Sequence, residues 1–434
     1  MHIFSAKTDA DTETVSLSRK SRFRVNYLLY RCHFEFMKKL PVGIQDFKTV
    51  RNEDYYYVDK SMLIGQILSL NSNGVYSITR PRCFGKSLNL SMLDAFFNIE
   101  YKGNTWFDGL EISKHPEYDR YRNAFPVISF SLNLGSPLSF EDFIEKFNSM
   151  LKDVFGKFTY LRESPKLDEY TKESFEVYRS GKKSVVDSEY ALYELCYMLE
   201  EHHDSKVVVL IDDYDATVKC TEDRELRRKI ISFLGSVLEQ LLKESTSKQL
   251  GVMTGIAQVM MANDFGGLNN VMRDDILNTD FGEMYGFTDE EVKQICVDYG
   301  HPEKFEEAKE WYGSYHFRNT DVCNPWSVLN YVQNDFKTGL YWAETSGNRE
   351  IHDIISNADD ELIKNLKNLI SGGIVKRRVD TIMTSDGHRS AYSLMAVTGY
   401  LKAISVGQFM GHMHELSVPN RELLDMFSKI IDSE

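Results

Sequence analysis

Cysteine is scarce in this chain, and what there is falls into no pattern. The six cysteines among 434 residues, Cys32, Cys83, Cys196, Cys220, Cys296 and Cys323, show neither a Cys-x-x-Cys spacing nor a Cys/His cluster. That excludes a zinc site or a disulfide framework legible from spacing, and it points to a reducing, cytoplasmic setting. No apolar run reaches the ~18 residues that span a bilayer, and no signal peptide with a continuous apolar centre stands at the N-terminus. No membrane partner is expected. Positive charge is also in deficit: 51 Lys and Arg face 65 Asp and Glu, a net charge of −14. A globally basic nucleic-acid binder is thereby excluded, although a local basic groove is still allowed. What remains is an ordinary folded composition, 42% apolar and 27% charged, in a length that suits two or three domains with sizeable cores.

One stretch organises the rest: Ser77-Ile-Thr-Arg-Pro-Arg-Cys-Phe-Gly-Lys-Ser-Leu88. It reads as an apolar strand, a loop ending in Gly85-Lys86-Ser87, and a helix over 88–97. Backbone N–H groups at a helix N-terminus are unpaired and carry partial positive charge, so such a turn holds phosphate. Lys86 reaches the outer phosphates and Ser87 ligates magnesium in this reading, which makes ATP with Mg2+ the expected cofactor pair. The candidate nucleotide-binding residues are Arg80, Arg82, Phe84, Gly85, Lys86, Ser87 and Leu88, with Arg80 or Arg82 stabilising charge on the γ-phosphate. Arg80 stands where the usual pattern, Gly-x-x-x-x-Gly-Lys-Ser/Thr, has its first glycine.

A second informative stretch is Val207-Val-Val-Leu-Ile-Asp-Asp-Tyr-Asp215. A run of apolar β-formers ending in acids is a buried parallel strand that delivers carboxylates at its carboxyl end, where open α/β sheets bind ligands. Asp212 is placed to hold magnesium, directly or through water. Asp213 occupies the position at which nucleotide hydrolases of this plan carry a Glu that polarises the attacking water. It is one methylene shorter, which puts its reach in question. The apolar run 250–259 predicts a neighbouring strand, and Thr254 near its end is either a sensor of the terminal phosphate or a buried threonine bonded to backbone. The candidate catalytic residues are therefore Lys86, Asp213 and Thr254, and the candidate metal ligands are Ser87 and Asp212.

Residues 1–38, polar and then basic at Arg19, Lys20, Arg22 and Arg24, read as a poorly ordered extension. Residues 39–285 alternate strands and helices, the pattern of an α/β domain with a mainly parallel sheet. Within it, Ser61 is a candidate N-cap. Tyr190, Leu192, Leu195, Cys196 and Leu199 form a core stripe, His202 and His203 fall in a polar, solvated run, and Met260 and Met261 fill core. Residues 286–434 read as a mostly helical unit. A capping box at Thr288-Asp-Glu-Glu291 opens it, helices follow over 302–311, 326–335 and 349–370, and 374–395 alternates like a hairpin around Ser385-Asp386-Gly387. Helices followed by a hairpin are compatible with a winged-helix lid.

Together these motifs resemble the AAA-ATPase-like family of P-loop proteins, predicted ATPases often joined to a C-terminal nuclease domain of the PD-(D/E)xK type. The resemblance rests on Leu40-Pro-Val-Gly-Ile-Gln-Asp-Phe47, Tyr57-Val-Asp-Lys60, the loop 80–87, the acid-bearing strand 209–215, Thr254-Gly-Ile256, Gly267-Leu-Asn-Asn270, Gly286-Phe-Thr288, Trp311-Tyr-Gly313, Asn324-Pro-Trp-Ser327 and Thr398-Gly-Tyr400. It implies a P-loop NTPase fold, and it makes Arg80 the expected residue, since the family's loop resembles Arg-Pro-Arg-Arg-Phe-Gly-Lys-Ser/Thr. Cys83 departs from that pattern where a second Arg is common, and Asp213 departs from the family's Glu. The segment Val418-Pro-Asn-Arg-Glu-Leu-Leu424 is similar to the one that leads into the nuclease of longer relatives. The residues after it are too few for such a core, so no nuclease activity is expected.

Three readings follow. The first is a slow or regulated Mg-dependent ATPase whose C-terminal unit moves on the nucleotide and can engage a protein partner. The second is a nucleotide switch or pseudo-ATPase scaffold without significant turnover. The third is a nucleic-acid-associated module using Lys376, Arg377 and Arg378.

Overall fold

Five short strands build the central sheet, and every strand in it runs parallel. In a computed structural model, β1 (Val75–Thr79), β2 (Val127–Ser131), β3 (Val207–Asp212) and β4 (Lys248–Gly255) are followed by the two-residue β5 (Gln258–Val259) and by β6 (Val271–Asp274). The sheet order is β2-β3-β4-β1-β6. The described residues are 37–181, 185–259, 268–345, 349–383, 390–406 and 413–433. Residues 40–434 form one compact unit. The extension expected over 1–38 lies almost wholly outside the described residues, as do Met260, Met261 and the turn 385–387.

A parallel sheet is covered on both faces, and β3 shows this residue by residue. Val207, Val209 and Ile211 enter a core with helices α4 (Phe140–Gly156), α5 (Glu169–Arg179), α6 (Val185–His203) and α8 (Arg224–Glu239), which flank the short α7 (Ala216–Cys220). Val208 and Leu210 enter the opposite core, with α1 (Phe47–Asn52), α2 (Met62–Asn71) and α3 (Lys86–Phe97). The stripe predicted on α6 is buried at Leu192, Leu195, Cys196 and Leu199, but Tyr190 is exposed. His202 and His203 are not simply solvated: they pack edge to face, with ring nitrogens on Ser164 Oγ and Tyr160 Oη. Ser61 holds the N-cap position of α2, but its side chain makes no cap bond. Its Oγ accepts from Ile112 N, and its own N–H is taken by Asp59, two residues away.

The carboxyl ends of β1, β3 and β4 lie side by side, since Ile78 pairs with Thr254 and Ile211 with Met253. β4 stops at Gly255 rather than running to 259. There the Asp215 carboxylate accepts the N–H groups of Ile256 and Ala257 and so replaces the ladder partners that a longer strand needs.

The C-terminal region adds α9 (Asp289–Asp298), α10 (Phe305–Tyr312), the hairpin β7 (Tyr315–Phe317) and β8 (Thr320–Val322), then α11 (Pro325–Gln333). The capping box at Thr288 is fully formed. The helix predicted over 349–370 is two helices, α12 (Arg349–Ser356) and α13 (Asp360–Ile370), because Asp359 N-caps the second. Among the described residues of 374–395 the predicted hairpin pairing does not form. β9 (Val375–Arg378) pairs with β12 (Met413–Ser417), which also pairs with β11 (Lys402–Ser405), while β10 (Ile382–Met383) pairs with β5. Residues 391–397 are the helix α14 (Ala391–Val397), capped by Ser390, and α15 (Arg421–Ser433) follows the sheet.

The capping box also ties this region to the sheet domain. Lys60 Nζ, a buried ammonium, lies 2.6 Å from each oxygen of Glu291 and 2.7 Å from Glu283 O. Thr288→Ala removes one cap bond and is expected to cost about 1 kcal/mol. Glu291→Ala also strands Lys60 and is expected to cost about 2–3 kcal/mol. Urea unfolding of the two variants checks this order.

Candidate functional site

The turn from β1 into α3 is shaped by two left-handed residues, Cys83 at φ +66° and Gly85 at φ +81°. A Cβ at Gly85 would meet nothing within 4 Å, so the backbone angle alone favours glycine there. Gly85 is the N-cap of α3, and the first helical bond runs from Asn89 N to Gly85 O. The N–H groups of Lys86, Ser87 and Leu88 therefore have no partner inside the helix, which makes this end of α3 an anion-receptive surface. All three residues, with Phe84 and Gly85, line a cavity of about 1000 Å³.

Lys86 is buried and folded back on its own loop, with Nζ 3.1 Å from Arg80 O and 2.8 Å from Pro81 O. Burial holds its ammonium below the usual lysine pKa, opposed by the carboxylates of Asp213, Asp215 and Asp212. The acids face it from the end of β3. Asp213, at φ +48°, lines the cavity, and burial together with the neighbouring Asp212 raises its pKa while Lys86 opposes the rise.

Asp212 and Thr254 stand behind this wall and are not part of the cavity lining. Thr254 is fully buried, and its hydroxyl donates to Asp212 Oδ1 at 2.5 Å, an oxygen that also accepts Asp213 N at 3.0 Å. Thr254 is thus bonded neither to a backbone carbonyl nor to the cavity; it fixes one face of the Asp212 carboxylate. Asp215 was singled out by no reading of the sequence, although it closes the Asp-Asp-Tyr-Asp run. It lines the cavity while holding the 256–257 turn.

Arg80 does not join the phosphate-binding residues. Its side chain is fully buried, with a guanidinium nitrogen 2.5 Å from Asp274 Oδ1 and from Thr279 Oγ1, and it lies between the rings of Tyr285 and Phe317. Its expected contact with the γ-phosphate is corrected accordingly: Arg80 is not part of the cavity lining, and its guanidinium fastens the end of β1 to Asp274 at the end of β6 and to Thr279 beyond it. Phe84 is similarly committed, packing edge-on against Tyr315 and Phe317 of the β7–β8 hairpin. Pro81 rests against Gly399, where a Cβ would come within 2.8 Å of it. Arg82 alone among residues 80–82 lines the cavity.

The basic run of the third reading is compensated. Lys376, Arg377 and Arg378 pair with Glu415, Glu361 and Asp380 respectively, which removes the excess positive charge a phosphate backbone would need. Among the described residues no cluster of three His, Cys, Asp or Glu side chains forms a metal cage, and no helix is long and apolar enough to cross a membrane. Ser87 at the start of α3 and Asp212, an oxygen donor held by Thr254, match the hard oxygen ligands that magnesium takes alongside phosphates.

Residues 41–265, more than half of the chain, match the family model described as predicted AAA-ATPase. An uncharacterized protein in the vnfD 5' region of Azotobacter chroococcum mcd 1 is 28% identical over 316 residues, covering 71% of this chain and 54% of that protein. The chain spans about half the length of the curated relative it matches.

Removing one partner of the Arg80–Asp274 pair leaves a buried, uncompensated charge. Arg80→Met and Asp274→Leu are each expected to destabilise the nucleotide-free protein by about 3–5 kcal/mol, with much of the loss recovered in the double variant. Thermal unfolding without nucleotide checks this, since a residue serving only as a phosphate ligand would show no such loss.

Proposed function

The chain belongs to the AAA-ATPase-like family of predicted ATPases, and we propose that it binds ATP with magnesium in the cavity between α3 and Asp213 and hydrolyses it slowly. The observation that carries this reading is the meeting of an uncapped helix N-terminus, a buried lysine and a carboxylate across one cavity. The N–H groups of residues 86–88 bind the phosphate chain. Lys86 exchanges its two loop carbonyls for phosphate oxygens, a trade favoured because charged acceptors bond an ammonium more strongly than carbonyls do. Ser87 would hold the magnesium ion in the cavity, with Asp212, outside the lining, serving it through water, and the bound ion would neutralise developing phosphate charge. Asp213 orients and deprotonates the attacking water. The C-terminal region, joined to the loop through Arg80, Pro81, Arg82 and Phe84, moves with the nucleotide and presents its surface to a protein partner.

A second reading, binding without useful turnover, is favoured by one feature: Asp213 is short and held at a left-handed backbone angle. The two readings share the binding site and part at hydrolysis.

Mg-ATP at about 100 times its dissociation constant is expected to stabilise the wild type by about 2.7 kcal/mol, and Lys86→Ala to abolish most of that gain. Thermal shift with and without Mg-ATP checks it, and a wild type that is not stabilised contradicts both readings.

If Asp213 is the base, turnover needs its ionised form. Its raised pKa then places the acid limb of the pH–rate profile above the ordinary carboxylate range, with activity falling as pH drops through it. Phosphate release across pH by the wild type and Asp213→Glu checks this. The longer carboxylate is expected to turn over faster, and no turnover by either form favours the scaffold.

A further inference from the structure

Two residues of the C-terminal half, Trp342 and Tyr400, have no role in the nucleotide site as described, yet their side chains meet at one loop residue. Arg82 lines the cavity three positions before Gly85. Its guanidinium stands over the ring of Trp342, 5.4 Å from the centroid, and donates to Tyr400 Oη at 3.3 Å. Its carbonyl accepts from Trp342 Nε1 at 3.2 Å. Backbone and side chain of one loop residue are thus held by the same indole.

Trp342 is fully buried and is itself fixed from below. Glu422, at the start of α15, is a fully buried carboxylate. One of its oxygens accepts Trp342 N at 2.6 Å and Ala343 N at 3.2 Å, and the other accepts Ser327 Oγ of α11 at 2.8 Å. Burying a carboxylate is costly unless it makes strong, fixed hydrogen bonds, so this one defines where residues 342–343 sit. Tyr400 packs against Trp342 at a tilt of 50°, with centroids 5.1 Å apart, and meets Phe427 of α15 edge-on. Gly399, at φ +91°, lets Pro81 approach closely beside it. The segments around 327, 342, 400 and 422 therefore form one continuous support that ends under Arg82.

We propose that Trp342, Tyr400 and Glu422 are positioning residues that aim Arg82 at the terminal phosphate, so that the C-terminal region distinguishes ATP from ADP. This rests on the nucleotide reading above. Arg82 is suited to the task, because a guanidinium kept in a fixed plane recognises phosphate oxygens in a way that a freely rotating cation does not. The coupling is reciprocal: a support that favours ATP at Arg82 is itself tightened when ATP binds.

The test is calorimetric binding of Mg-ATP and Mg-ADP to the full chain and to Arg82→Ala, Trp342→Phe, Tyr400→Phe and the Arg82→Ala/Trp342→Phe double variant. Arg82→Ala is expected to weaken ATP about tenfold and to leave ADP within about twofold. Trp342→Phe keeps an aromatic ring but loses the Nε1 donor, and Tyr400→Phe loses only the hydroxyl. Both are expected to weaken ATP selectively, with no further loss when Trp342→Phe is added to Arg82→Ala. The proposal is overturned if the supporting variants weaken ATP and ADP equally, add their losses to that of Arg82→Ala, or leave both affinities unchanged. A wild type that binds neither nucleotide overturns the nucleotide reading itself, and this inference with it.

Discussion

A guanidinium with no access to water must be paired wherever it sits, and the ion pair of Arg80 with Asp274 sets the terms for the rest of the site. Arg80 follows directly on β1, so its pairing fixes how the chain leaves the strand. Asp274 closes β6, the strand beside β1, and also holds Thr279 Oγ1 and Asp280 N. The loop from β1 to α3 thereby starts from an anchored point, where the pattern Gly-x-x-x-x-Gly-Lys-Ser/Thr has a flexible glycine.

The anchored start divides the loop between two duties. Residues 80, 81 and 84 are held by Asp274, Gly399 and the β7–β8 hairpin, while residues 85–88 keep the uncapped helix end and the cavity. Motifs that lie hundreds of residues apart become neighbours on this arrangement. Thr398-Gly-Tyr400 cradles Pro81 and meets Arg82. Asn324-Pro-Trp-Ser327 opens α11 with an asparagine cap and a proline, and supplies Ser327 to Glu422. The acid strand is likewise shared out: Asp213 faces the cavity, Asp212 is steadied by Thr254, and Asp215 with Tyr214 builds the turn after β4.

What was legible in the sequence depended on how local the cause is. The run at β3 read as a strand because a strand buried on both faces is apolar along its length, as Val207 to Ile211 are. The capping box at Thr288 was legible because its two bonds lie within four residues. Other features have distant causes. Ser61 does hold the N-cap position of α2, but its hydroxyl serves Ile112 instead of the helix, and Asp59 takes its N–H. The end of β4 depends on Asp215, about forty residues earlier, and residues 375–378 find their strand partner at 413–416, more than thirty residues further along the chain. Arg80 is the sharpest case. A resemblance to a family loop makes it expected, yet its role lies in a partner 194 residues away that no spacing reveals.

The central claim is that the loop is pre-anchored at one end and nucleotide-responsive at the other, and backbone hydrogen exchange resolved across residues 78–90 tests it most directly. Arg80 N is already bonded to Gly255 O, so its amide should exchange slowly with or without nucleotide, while the amides of residues 86–88 should exchange freely alone and become protected on adding Mg-ATP. Rapid exchange at Arg80 in the nucleotide-free protein, or unchanged exchange at 86–88 when Mg-ATP is added, would contradict the account.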